Sequence, residues 1–193
     1  MGSGSRPGRL TALSIAIVGT LSLACESFSA PATSVGTLPR NVIVPLSEVT
    51  QLFPDIIREA STGRNATATG NPKATRMVIY ESGDGSKKVT ITVDQYGSPR
   101  DASSAYKQAV QKSRSVTGFK PVRVPRFGQQ AFAGRTTMDA ETHIGLGMLD
   151  HKLIVGATLA GYDATPDHVA KLVAVTRMQG AAAKRAAGLG GRC

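Results

Sequence analysis

The sequence predicts an α+β fold: an antiparallel sheet of about five to six strands with helices packed on it, built as two hairpin-plus-helix units. Three observations carry this. Val89, Ile91 and Val93 alternate with Thr90, Thr92 and Asp94, the period-2 pattern of a strand with one buried and one wet face. Gly83-Asp84-Gly85-Ser86 and Asp150-His151 each separate two strand-like stretches, as hairpin turns do. After each hairpin, Ser98-Pro99 or Thr165-Pro166 opens a stretch with apolar residues at helical spacing.

The chain begins with a segment of another kind. Residues 10–25 carry no charge and follow Arg6 and Arg9. A basic start, an apolar middle and small residues before a break are the anatomy of an export signal. The run is shorter than the roughly 20 apolar residues that a membrane-spanning helix needs. Cleavage is expected between Ala24 and Cys25, where small Ser22 and Ala24 precede the cut. A cut after Ala30 would put bulky Phe28 before it and Pro31 behind it.

The stretch L-S-L-A-C, residues 21–25, resembles the lipobox of bacterial lipoproteins. That resemblance implies a lipid anchor on the Cys25 thiol, a diacylglycerol bearing palmitate-like chains. Ser22 stands where that family usually has Leu. The other reading is a plain secretory signal with an incidental cysteine. The expected location is the extracytoplasmic face of the cell membrane.

Removing residues 1–24 takes away two arginines and no acid. The mature chain of 169 residues then keeps a net charge near +8, against +10 for the whole. The bases are dispersed, which reads as a solvated basic surface, and export argues against nucleic acid as a partner. The two cysteines, Cys25 and Cys193, lie near or at the ends, so packing alone must hold the domain. If Cys25 is not acylated, the two could bridge after export.

Residues 25–40 are rich in Ser, Thr, Ala, Pro and Gly without periodicity, and read as a flexible tether. The domain spans residues 41–180. Ser47 is a candidate cap for a helix bearing Val49, Leu52 and Phe53. Pro54 ends that helix or starts a second one over residues 54–60, burying Ile56 and Ile57. A polar loop covers residues 61–75, with a glycosylation-like triplet at Asn65-Ala66-Thr67.

The first hairpin unit has strands at 76–82 and 88–96. Its helix starts at Pro99, carries Ala102, Tyr106, Ala109, Val110 and Ser113, and is closed by Gly118. Residues 119–137 link the units and hold a strand at 130–136. The second unit has strands at 141–149 and 152–161, the latter apolar enough to be central. Its helix starts at Pro166, buries Val169, Leu172, Val173, Thr176 and Met178, and stops at Gly180. Residues 181–193 read as a disordered basic tail.

The order of elements, with L-S-E-V at 46–49, F-G-Q-Q-A-F at 127–132 and T-P-D-H-V-A-K-L-V at 165–173, resembles a group of actinobacterial lipoproteins. It is also similar to the extracellular sensor domain of mycobacterial Ser/Thr kinases and to the PsbP/Mog1-like α/β fold. The kinase sensor carries disulfides; none can form within this domain. The resemblance implies binding or sensing in the envelope.

No metal, cofactor or catalytic site is expected. G-x-S-x-G, C-x-x-C, H-E-x-x-H and P-loop patterns are absent. Asp139, Glu141 and His143 share a strand face at metal-ligand spacing, but Ile144, Leu146 and Met148 mark the buried face and leave the trio in solvent. His151 and His168 are expected to be exposed, and Ser103 and Ser104 lack a neighbouring base. The expected function is a non-catalytic envelope domain that binds a ligand, lipid or partner. The alternatives are an enzyme of unknown reaction, or an accessory subunit of an envelope complex. A binding cleft is expected between helix and sheet, with Tyr80, Tyr96, Tyr106 and Phe127 as candidate lining.

Overall fold

The computed structural model describes residues 35–138 and 140–188. The expected signal, its cleavage point at Ala24 and Cys25, and Cys193 lie outside the described residues. The strands are β1 (Gly36–Thr37), β2 (Ile56–Gly63), β3 (Ala74–Ser82), β4 (Lys88–Gln95), β5 (Lys120–Val122), β6 (Gln130–Met138), β7 (Glu141–Asp150) and β8 (Leu153–Ala160). The helices are α1 (Leu46–Leu52), α2 (Pro99–Arg114) and α3 (Pro166–Ala186), with a short 3-10 turn at Arg40–Val42.

The α+β class holds, with more strands than expected. Eight strands form one sheet in the order β1-β3-β4-β8-β7-β6-β5, and β2 joins the free edge of β3. All pairs are antiparallel except β1 with β3. Three strands account for the difference. Residues 36–37, expected in the tether, pair beside Ala74 and Thr75. Residues 120–122 pair with β6. Residues 56–60, helical in one of the two readings of Pro54, form part of β2 along β3. At the start of β2 successive side chains point to opposite faces, so Ile56 is fully buried while Ile57 is 60% exposed.

Both hairpin units are present, and β4 pairs directly with β8 to join them. The apolar β8 is central, as its composition predicts. The two helices, however, cover opposite faces of the sheet. Val89, Ile91 and Val93 of β4, Val155, Ala157 and Leu159 of β8, and Ile144, Leu146 and Met148 of β7 form one layer against Leu172 and Val175 of α3. The other face, wet by the sequence reading, is roofed by α2, whose Ala102, Ala105 and Tyr106 pack with Tyr96 and Leu149.

Local chemistry explains the helix limits. Ser98 and Thr165 accept from the backbone N–H of Asp101 and His168, the expected caps. At α1 the residue before the helix is Pro45, and no side chain caps it. α3 does not stop at Gly180. A Cβ there would clash with Met148 Cε, so this glycine permits close helix–sheet approach. Ala181, Ala182 and Ala183 then carry the helix on, because alanine has the highest helix propensity.

One buried side chain ties the first described segment to α3. Gln179, with no exposed surface, accepts from the Val44 N–H at 2.9 Å and donates to the Val42 carbonyl at 2.5 Å. Those two backbone groups belong to no ladder, so the amide satisfies both.

Candidate functional site: a cavity under α2

The two faces of the sheet differ in side-chain bulk. Towards α3 they present Val, Ile, Leu and Met. Towards α2 Gly147 and Gly156 sit in register, with Thr90, Thr92 and Thr158 beside them, while the Gly134–Gly145 pair further along is covered by the Phe119 ring. α2 places Ala109 over the Gly147–Gly156 pair. Small residues on both layers leave space that neither fills. The result is a cavity of about 100 Å³. Tyr96, Tyr106, Val110, Phe132 and Ile154 supply its apolar wall, and the 65–69 loop closes one end.

Asp94 lines this cavity and is 5% exposed. Asn65 Nδ2 donates to both of its carboxylate oxygens, at 3.0 and 3.1 Å. Asn65 is itself fixed: its N–H donates to Thr75 Oγ1 at 3.0 Å, and its Oδ1 accepts from the Thr67 N–H and hydroxyl. The glycosylation-like triplet is thus a turn with its Asn65 side chain buried and oriented towards Asp94. Burial pushes the Asp94 carboxyl up to about 7, against the opposing pull of the Asn65 bond. Among the described residues no Lys, Arg or His lines the cavity.

The tyrosine hydroxyls are committed elsewhere. Tyr96 donates to the Thr69 carbonyl at 2.6 Å and Tyr106 to the Gly147 carbonyl at 3.2 Å. Burial raises both phenols above their ordinary range; for Tyr96 the neighbouring Asp94 charge adds to this. Neither proton is directed at Asp94.

Of the four expected lining residues, Tyr96 and Tyr106 are in the cavity. Tyr80 is not. It lies in the layer facing α3, donates to the Val44 carbonyl at 2.6 Å and accepts from Arg40 at 2.8 Å. Its place in β3 puts it on the opposite side of the sheet. Phe127 is also outside. It lies beneath the Arg177 guanidinium, 5.1 Å from centroid to Cζ, in an adjoining groove that shares Tyr106, Val110 and Phe132 with the cavity.

Of the expected solvent-facing trio, Glu141 is half-exposed but His143 is not in solvent. His143 is buried on the α2 side, 3.5 Å from Glu141, because its strand face is roofed; Asp139 lies outside the described residues. His151 is exposed at the hairpin turn and bonds Asp150 at 2.7 Å. His168 is half-buried against the Tyr162 ring. Among the described residues no group of three or more His, Cys, Asp or Glu could hold a metal ion.

Sequence reasoning missed Asp94 and Asn65. It assigned Asp94 to a wet face and read Asn65 as part of a glycosylation-like triplet in a polar loop. The available signal was the glycine spacing in strands 141–149 and 152–161, which marks a sheet face too thin to fill the space under a helix.

No protein-family model and no curated protein matches the chain. Among solved structures it is similar to the extracellular domain of PknH from Mycobacterium tuberculosis. The TM-score is 0.54 at 9% identity, over 72% of this chain and 93% of that one. At that identity the likeness is one of fold. It agrees with the kinase-sensor architecture expected from the order of elements.

Proposed function

We propose that this chain is an exported, lipid-anchored envelope protein whose domain binds a small ligand in the cavity under α2, in a sensor-like and non-catalytic role. The cavity carries the reading: it is apolar, set between helix and sheet, and holds one orienting polar pair, the combination that small-molecule sites share. Asp94 has no second acid or base beside it in the described lining, as a general acid–base pair would require. Export and anchoring rest on residues 10–25 and Cys25. Among the described residues no helix is long and apolar enough to cross a membrane.

The test is native mass spectrometry of the full chain purified from its own cells, beside Ala109→Leu. Ala109 lines the cavity, and the larger side chain fills it. The expected result is a bound small molecule on the wild type and none on the variant. No bound mass on either, or equal loading of both, overturns the assignment.

A further inference from the structure

We infer that the cavity under α2 selects a ligand carrying a protonated amine, held by the Asp94 carboxylate with its short apolar chain against Tyr96, Tyr106 and Phe132. This rests on the proposed binding role and names the ligand class.

Four observations support the assignment. Asp94 is buried, and its recorded hydrogen bonds come from the neutral Asn65 amide. That amide donates to both oxygens, which favours the ionised form and leaves further acceptor positions on each. The other two titratable groups in the described lining, Tyr96 and Tyr106, donate to backbone carbonyls, and that lining holds no cation from the 65–69 loop, the strands or α2. A buried carboxylate without a charged partner is costly, and a ligand cation supplies that partner.

The Tyr96 and Tyr106 rings fit the same ligand, whereas the Phe132 ring, already faced by the Arg114 guanidinium at 5.3 Å and stacked on Phe119, offers only its edge to the apolar chain. Ring faces attract ammonium groups, most strongly where water is excluded. Size sets the rest. A cavity of about 100 Å³ holds a chain of a few carbons rather than a large ring system. Above about pH 7, where the carboxyl is ionised, an anionic or purely hydrocarbon ligand would leave Asp94 repelled or unpaired. The elevated Asp94 pKa follows from the same geometry: ammonium binding draws the carboxyl into its ionised form and releases a proton from the protonated fraction.

The test compares n-butylammonium with n-butanol at pH 8, by calorimetry on the full chain in lipid nanodiscs with empty nanodiscs as blank. Asp94→Asn is the variant. It is nearly isosteric, and its amide oxygen can still accept from Asn65; unchanged butanol affinity reports an intact cavity. Expected is at least a tenfold preference for the amine in the wild type, lost in Asp94→Asn. Equal affinity for both probes in the wild type overturns the amine class and leaves the cavity reading standing. A preference that persists in Asp94→Asn overturns the role of Asp94. Failure of both probes to bind overturns both readings.

Discussion

Replacing Asp94 by Asn removes the one charged side chain in the described cavity lining and exposes the cost of burying it. In the folded protein the carboxyl is pushed from 3.8 up to about 7. Three pH units at about 1.4 kcal/mol each give about 4 kcal/mol. Its sign follows from proton binding. Between pH 4 and 7 the folded protein holds a proton that the unfolded chain has released. Wild-type stability therefore falls as pH rises through this window, and levels off above the folded value. The amide of the Asp94→Asn variant does not titrate, so the stability of the variant minus that of the wild type should rise by about 4 kcal/mol from pH 4 to pH 9. At roughly 2–4 °C per kcal/mol for a domain of this size, the melting temperature of the variant should rise relative to that of the wild type by 8–16 °C or so. Asp55 and Asp150 are held below the usual carboxylate range. Burial opposes their charge, but Lys87 with Tyr162, and Lys184 with His151, outweigh it. They titrate at lower pH and in both proteins, so they cancel in the difference. Scanning calorimetry at half-unit pH steps measures the gap. Parallel curves from pH 4 to 9 would refute the claim that Asp94 is buried without a charged partner.

Three other perturbations have definite outcomes. Gln179→Ala strands the Val42 carbonyl and Val44 N–H inside the core, and should cost about 2–5 kcal/mol in urea unfolding. Gly161→Ala drives a Cβ into the Ser86 carbonyl oxygen at a φ of +76°, where the backbone itself must shift. A loss of about 2–3 kcal/mol is expected by the same assay. Cys25→Ala should leave the domain folded but release it from membranes in high salt, because two acyl chains anchor firmly and dispersed positive charge does not. Fractionation in which wild type and variant partition alike would remove the lipid anchor from the account.

The sequence disclosed the sheet most clearly where period 2 was regular, and the helices where Ser-Pro and Thr-Pro fixed their starts. It failed where one residue type serves two ends. Gly180 has the identity of a helix terminator, yet its missing side chain makes room for Met148 inside a continuing helix. Pro54 left open a helix end or a second helix start; α1 ends at Leu52, and the following Ile56 and Ile57 lie in an edge strand, one buried and one exposed. The cavity followed the same logic. Its position between helix and sheet was legible, as were Tyr96 and Tyr106. Tyr80 was misplaced because a tyrosine in a strand can face either layer, and the sheet proved to be covered on both. Asp94 stayed hidden because an acidic residue alternating with valines reads as solvent-facing until α2 roofs that side. Its partner Asn65 comes from a loop 29 residues earlier, a pairing that only the folded chain makes.

The most direct test of the cavity as a binding site for a cation is the NMR titration of the Asp94 carboxyl carbon, without and with saturating n-butylammonium. The account predicts an apparent pKa near 7 in the free protein. With the amine bound it should fall by at least one unit, since a paired cation favours the ionised form. A free value near that of an ordinary exposed aspartate, or a value that does not move when the amine is added, would contradict it.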